Sequence, residues 1–201
     1  MTDLELLDAW AAGDQAAGDV LVERHYPSVR RFFDTKVPAT AEDLTQRTFL
    51  ECTKARDRFR RDGTFRAYLF GIARRQLFTF LRDHDRADML ESFAAAAPPD
   101  TVATATGLIA AREEQRLVLR AFQELSEEQQ VAVQLFYWEE MSVIEIAAVL
   151  ELSVTAVTSR LARARAAMRE YVEQLELRPA TRASLLGDLE TWTRSVVTRS
   201  R

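Results

Sequence analysis

The sequence predicts an all-α protein built from two small helical domains, joined by a flexible linker and followed by a short C-terminal helix. Glycine (6) and proline (5) are scarce in the 201 residues, whereas alanine, leucine, arginine and glutamate, which favour helices, are plentiful. Apolar residues recur at helical spacing behind helix-start sequences. The stretch "HDRADMLESFAAAAPPDTVATATG" at 84–107 breaks this pattern with an alanine run and two consecutive prolines.

The first domain, residues 1–83, contains four helical segments. The first ends at Gly13, the second contains Pro27 and ends before Pro38, the third follows Thr40, and the fourth runs from about Phe65 to Arg82. The predicted apolar faces include Leu4, Leu7 and Trp10 in the first helix, Val20 and Leu21 in the second, and Leu44, Phe49 and Leu50 in the third.

The second domain, residues 108–176, has the pattern of a DNA-binding helix-turn-helix. Ser126 and Ser142 each begin a capping box, and the stretch "SVIEIAAVLELSVTAVTSRLARARAAMRE" holds two helical patterns separated by a break at 151–153. Val157, Leu161, Ala164 and Met168 recur on the inner side of the second pattern. Small polar residues and arginines lie opposite, where serine and threonine can bond to phosphates or bases and arginine to guanine.

The C-terminal extension, residues 177–201, carries an apolar stripe of its own. Leu185, Leu189, Trp192 and Val196 are separated by four, three and four residues. An isolated short helix cannot bury such a stripe. Packing on the second domain is therefore expected, with self-association and regulator binding as the alternatives.

Charge is segregated along the chain. The formal net charge is -4, but residues 54–86 hold ten basic and four acidic side chains, and residues 156–170 hold four arginines and one glutamate. Phosphate attraction is local because salt screens charges beyond about 10 Å. Two basic blocks on an acidic chain therefore favour two nucleic-acid contacts, with acidic surface left for protein partners.

Catalysis and cofactor binding are poorly supported. The only histidines, His25 and His84, lack ligand partners at metal-binding spacing, and Cys52 is the single cysteine. A glycine-rich phosphate loop is missing from the sequence. We expect no catalytic residue, no metal and no cofactor. The acidic start "MTDLELLDAWAAGDQ" and the lack of an apolar run of about 20 residues predict a cytoplasmic protein without membrane insertion.

Taken together, the motifs resemble the extracytoplasmic-function class of bacterial RNA polymerase sigma factors. The family's "DLxQxxF" matches Asp43, Leu44, Gln46 and Phe49. Its "FRxWLxxIAxN" is similar to "FRAYLFGIARR", and its closing pattern "LSxEEIAxxLGxxxGTVxSRLxRAR" is similar to "MSVIEIAAVLELSVTAVTSRLARAR". The order and separation of the motifs make the match specific over about residues 4–171.

The resemblance implies a partner and two DNA elements. Region 2, our first domain, docks on the β′ clamp helices of core RNA polymerase and opens the −10 element; region 4, our second domain, binds the β flap and reads the −35 element. An anti-sigma factor or another regulator is a further expected partner. The polymerase contacts implied are Asp43, Gln46 and Phe49. The −10 contacts expected are Arg60, Arg61, Phe65, Arg66, Tyr68, Arg74 and Arg75. The −35 contacts expected are Thr155, Thr158, Ser159, Arg160 and Arg163, with Arg160 on phosphate.

Several positions depart from the family pattern. Arg75 and Thr79 replace an asparagine and an aspartate, Glu151 replaces the glycine of the turn, and Thr158 stands where a basic residue is usual. Two alternative hypotheses stay open beside the sigma factor. One is a stand-alone helix-turn-helix regulator whose first domain is a sensor or dimer module. The other is a sigma-like interaction protein that sequesters polymerase or a regulator without opening DNA.

Overall fold

The protein is described by a computed structural model over residues 1–55, 59, 63–83, 106–187, 189, 191 and 193. The predicted all-α class is confirmed, since these residues contain helices and no strand. The chain divides into two compact units, of which the first contains α1–α4 and the second α5, α6, α8 and α9. The elements are α1 Asp3–Ala11, α2 Gln15–Asp34, a 3-10 turn Pro38–Thr40, α3 Ala41–Ala55, α4 Phe65–Asp83, α5 Thr106–Gln123, α6 Glu127–Tyr137, α7 Val143–Leu150, α8 Val154–Gln174 and α9 Pro179–Gly187.

Side-chain caps start the first two helices. Thr2 and Glu5 form a capping box at α1, in which each side chain accepts a hydrogen bond from the other's backbone N–H. The Asp14 carboxylate accepts a hydrogen bond from the Ala17 N–H at 3.3 Å and so caps α2. These caps set the short turn between α1 and α2, in which Gly13 adopts a φ of 105° that favours glycine.

The core of the first unit is aromatic and aliphatic. Phe32 meets Phe33 and Phe70 edge to face, with ring centroids 5.2 and 5.6 Å apart. On α3, the buried hydroxyls of Thr45 and Thr48 donate to the carbonyls of Ala41 and Leu44 at 2.7 Å, so that neither is left without a partner. The buried side of α3 can therefore include threonine.

Three apolar residues that the sequence placed on inner faces are exposed. Leu4, Val20 and Leu50 are 43, 44 and 55% exposed. On α1 the buried leucines are Leu6 and Leu7, which shifts the inner face from the predicted one. Because α3 buries Leu44, Thr45, Thr48 and Cys52, its inner face turns away from Leu50.

Helices α6 and α7 begin with the predicted capping boxes. The Ser126 hydroxyl accepts from the Gln129 N–H, and the Ser142 hydroxyl accepts from the Glu145 N–H. The four inward positions predicted on α8, Val157, Leu161, Ala164 and Met168, are all buried. Helix α8 therefore exposes the opposite side, on which the predicted DNA-reading residues lie.

The predicted linker, 84–107, lies outside the described residues as far as residue 105, and α5 begins at Thr106.

The C-terminal extension packs on the second unit, as predicted. Leu185 and Leu189 are buried, whereas Trp192 and Val196 lie outside the residues whose side chains are described. The Trp138 indole N–H donates to the Thr193 carbonyl at 2.6 Å within this contact. The Arg169 guanidinium donates to the Leu186 carbonyl at 3.1 Å. The extension is therefore attached to the end of α6 and to the C-terminal half of α8.

Candidate functional site

The turn before α8 takes a backbone conformation that favours glycine, although its residue is glutamate. Glu151 has a φ of 56°, which costs an L-residue about 1–2 kcal/mol. The Leu152 N–H donates to the Ala147 carbonyl at 3.0 Å, and the Ser153 hydroxyl caps α8 by accepting from the Ala156 N–H at 3.2 Å. The tight turn predicted at 151–153 is thus formed despite the missing glycine.

Helix α8 exposes most of the residues predicted to read DNA. Thr155, Thr158, Ser159 and Arg163 are all exposed. The Thr158 hydroxyl donates to the Val154 carbonyl at 3.0 Å, and the Arg163 Nε donates to the Ser159 carbonyl at 3.4 Å. This face therefore combines one guanidinium with small hydroxyl side chains.

Two arginines of α8 turn toward α6 rather than outward. Arg160 is only 17% exposed and forms a 2.8 Å ion pair with Glu128. Arg165 is half-buried and donates to the Tyr137 hydroxyl at 3.3 Å. The phosphate contact expected of Arg160 competes with this internal partner, which the sequence pattern of α8 alone does not reveal.

The predicted polymerase contacts lie along α3, and one of them, Phe49, also contacts α2. Asp43 and Arg47 form an exposed ion pair at 2.9 Å. Gln46 donates to the Glu42 carboxylate at 3.1 Å, and the ring of half-buried Phe49 stacks on Tyr26 with centroids 6.0 Å apart.

Glu42 connects the two helices at this face. Its carboxylate accepts hydrogen bonds from the Tyr26 hydroxyl at 2.6 Å and from Arg30. The hydrogen bond from Tyr26, followed by that from Gln46, lowers the pKa of the Glu42 carboxyl. These contacts order a polar and aromatic surface before any partner binds.

Leu50 is exposed farther along α3. Helical periodicity placed this leucine on the buried face, so the sequence did not include it among the predicted contact residues.

The expectation for Phe65 requires a correction. Phe65 is 3% exposed and packs against His25, with ring centroids 5.5 Å apart. Its ring is therefore part of the core and is not available to stack on a base. Tyr68 is half-buried, with its ring centroid 5.2 Å from that of Phe59.

The basic residues predicted for the −10 element lie in different surroundings. Arg66 and Arg74 are half-buried, and their guanidinium carbons lie 5.9 and 5.2 Å from the rings of Phe70 and Phe78. Arg75 is exposed, and Arg60 and Arg61 lie outside the described residues. The two guanidinium groups on aromatic rings are held in place and remain partly accessible.

Two buried titratable groups lie in the first unit. Burial lowers the pKa of His25, which is 7% exposed, although its ring nitrogen lies 2.8 Å from the Asp3 carboxylate, which favours protonation. Burial raises the pKa of the Cys52 thiol to about 12. Cys52 is therefore a protonated core residue rather than a nucleophile.

Among the described residues, no group of histidine, cysteine, aspartate and glutamate could hold a metal ion. In the same part of the chain, every helix is too short or too polar to cross a membrane.

Two family models match the chain. Sigma-70 region 2 matches residues 21–87, and Sigma-70, region 4 matches residues 115–168. The chain is 32% identical to RNA polymerase sigma factor CarQ of Myxococcus xanthus over 176 residues, covering 87% of this chain and 99% of CarQ. It is 29% identical to the ECF RNA polymerase sigma-E factor of Escherichia coli (strain K12) over 184 residues, covering 87% of this chain and 96% of that protein.

Solved structures show the same similarity. CnrH in complex with the cytosolic domain of CnrY is 29% identical, with a TM-score of 0.64 and coverage of 85% of this chain and 97% of the other. The sigma factor RpoE from Bartonella quintana, in complex with the anti-sigma factor NepR, is 21% identical, with a TM-score of 0.59 and coverage of 78% and 96%. At that identity the second similarity concerns the fold alone.

Proposed function

The chain belongs to the extracytoplasmic-function class of sigma-70 RNA polymerase sigma factors, and from this premise we propose which of its residues carry out each step. As a sigma factor it directs promoter recognition and transcription initiation by bacterial RNA polymerase. The observation that carries the assignment is the presence of both matched regions, 21–87 and 115–168, in one chain. We propose that residues 1–83 and 108–176 act as separate domains joined by the linker 84–107.

Reading of the −35 element is assigned to α8. Thr155, Thr158, Ser159 and Arg163 are exposed on one helix whose start is fixed by the Ser153 cap. An arginine at this position can form two hydrogen bonds with guanine, and the hydroxyl groups can bond to phosphates or base edges. Because Arg160 is paired with Glu128, we propose that it braces α8 against α6.

Polymerase binding is assigned to the exposed surface of α3. Asp43 and Gln46 are exposed, Phe49 is half-buried, and their partners on α2 and α3 hold them in fixed orientations. A surface ordered before binding loses less conformational entropy in the complex. We propose the β′ clamp helices as the partner of this surface and the β flap as the partner of region 4.

Opening of the −10 element is assigned to the basic residues of α4 and the turn before it. We propose that Arg66, Arg74 and Arg75 follow the backbone of the melted strand, together with Arg60 and Arg61. Arginines and accessible aromatic rings are the groups that bind unpaired strands. Among the aromatic residues Tyr68 is kept as a candidate and Phe65 is not, because the Phe65 ring is buried.

Regulation and catalysis fall to other proteins in this proposal. CnrH, which is 29% identical, was solved in complex with the cytosolic domain of CnrY. We propose that an anti-sigma factor or similar regulator binds this chain as well. The chain brings no catalytic residue and no cofactor, since RNA polymerase supplies the chemistry. A cytoplasmic location follows from this role.

The test is run-off transcription with purified core RNA polymerase and a pool of genomic promoter fragments, with and without the full-length protein. Discrete new start sites are expected, and Asp43→Ala combined with Gln46→Ala should abolish them through loss of core binding. Glu51→Ala is the matched control, because Glu51 lies on the same helix and pairs with Lys54. Tight core binding without transcripts would instead indicate a sequestering protein, and no core binding would indicate a plain DNA-binding regulator.

A further inference from the structure

The reading surface of α8 contains an apolar side chain that the recognition pattern does not require. Val154 is the first residue of α8 and is 47% exposed. A single exposed apolar residue is unremarkable on most surfaces. This one is at the N-terminal end of the helix that the proposed function places in the major groove, and the N-terminal residues of such a helix contact base edges.

The neighbouring polar side chains have fewer free hydrogen-bond donors than their residue types suggest. The Thr158 hydroxyl, one turn beyond Val154, already donates to the Val154 carbonyl at 3.0 Å. Its proton is therefore engaged, and its remaining contact groups are a methyl group and an oxygen acceptor. Arg160 is held by Glu128 and is only 17% exposed. The first two turns of α8 thus present methyl groups together with the hydroxyl groups of Thr155 and Ser159.

The ligand chemistry that matches exposed methyl groups in the major groove is specific. Among the four bases only thymine carries an apolar group there, the C5-methyl group, and apolar side chains recognise it. We propose that Val154 and Thr158 contact thymine C5-methyl groups in the −35 element, while Arg163 and Ser159 provide the hydrogen-bond readout. This inference rests on the proposed function, which it extends from the site to the bases recognised.

The spacing constrains the arrangement. Residues four positions apart are about 6 Å apart along a helix, and successive bases of one strand are about 3.4 Å apart. Val154 and Thr158 therefore address thymines about one or two base pairs apart.

The experiment removes one methyl group at a time from the DNA. Holoenzyme is assembled from core RNA polymerase and the full-length chain, and its binding to a duplex promoter fragment recovered by the run-off assay is measured. Each −35 thymine is replaced in turn by deoxyuridine, which lacks only the C5-methyl group. One or two positions should lose affinity by about four-fold, the effect expected for one buried methyl-sized group.

Variants then assign the sensitive position to Val154. Val154→Ala should lower affinity for the thymine promoter and should show no further loss when the sensitive thymine is replaced. Leu4→Ala is the matched control, because Leu4 is a similarly exposed apolar residue at 43% exposure on α1. This control should keep the full deoxyuridine effect.

Two results would overturn the inference while leaving the proposed function intact. One is transcription from promoters at which no −35 thymine responds to deoxyuridine. The other is an undiminished deoxyuridine effect in both Val154→Ala and Thr158→Ser, the second of which removes the threonine methyl and keeps the hydroxyl. Absence of any promoter-dependent transcription would instead refute the proposed function, so the two failures are distinguishable.

Discussion

Arg160 gives the sharpest test of how α8 meets DNA. Its guanidinium lies 2.8 Å from the Glu128 carboxylate and is 17% exposed, whereas the Glu128 side chain is 56% exposed. A pair with one such accessible partner contributes about 0.2–1 kcal/mol. Loss of the packed arginine stem adds to this. We therefore expect Arg160→Ala to lower the free energy of unfolding by about 1 kcal/mol.

The effect on DNA binding follows from counterion release. Each phosphate that a cation neutralises contributes about −0.9 to the slope of log affinity against log salt concentration. If Arg160 braces α8 from within, Arg160→Ala leaves this slope unchanged. Glu128→Ala removes the acceptor and frees the guanidinium, and the slope should steepen by as much as about 0.9. Arg163→Ala, three residues along the same helix, should weaken discrimination at one base pair by about 1–3 kcal/mol.

The assay is fluorescence anisotropy of a labelled promoter duplex with holoenzyme, measured over a range of salt concentrations, alongside urea unfolding of each variant. The reasoning fails if Arg160→Ala reduces the steepness of the slope by about 0.9 and leaves the free energy of unfolding unchanged. That outcome would mean that Arg160 leaves Glu128 and contacts a phosphate in the complex.

Three further predictions concern stability. Gly18→Ala places a Cβ 2.7 Å from the Trp10 indole. A packing cost of about 1–3 kcal/mol against a helix-propensity gain of about 1 kcal/mol should give a net loss of up to about 2 kcal/mol in urea unfolding, and a raised midpoint would contradict this packing. Burial lowers the pKa of His25 below its ordinary value of 6.5, so the unfolded chain takes up this proton first and stability falls as pH drops below about 6.5. In urea titrations at several pH values His25→Gln should lose this part of the pH dependence, and identical stability profiles of the variant and the parent protein would refute the prediction. Leu185→Ala should destabilise the second unit by about 2 kcal/mol without changing the −35 sequence preferred in a binding selection, because Leu185 is buried. The control Leu186→Ala should change the free energy of unfolding little, because Leu186 is half-exposed. An altered sequence preference of Leu185→Ala would contradict a purely structural role for the extension.

Local patterns were sufficient for much of the fold because capping and helical periodicity act within a few residues. The capping boxes at Ser126 and Ser142 depend on residues three positions apart, and both formed as predicted. The inner face of α8 was predicted from spacing alone, since four apolar residues on a long helix leave one way to bury them.

Periodicity was less informative where a helix packs on more than one neighbour or buries polar residues. Leu50 is exposed because α3 buries Thr45 and Thr48, whose hydroxyls bond to their own helix. Phe65 was expected at the DNA, but contacts with His25 place its ring in the core. The Thr45 and Thr48 hydroxyls bond to carbonyls four residues away, whereas the partner of Phe65 is distant in sequence.

The sequence by itself determined the helical class, the positions of the capped helices and the motifs of a sigma factor, because each is encoded by residues close together in the chain. Only the tertiary structure decided which side chains of those motifs remain available. The pairing of Arg160 with Glu128, the burial of Phe65 and the hydrogen bond from Tyr26 to Glu42 depend on neighbours that are distant in the chain. Hydrogen bonds, ion pairs and burial act over a few ångströms, and folding sets those distances.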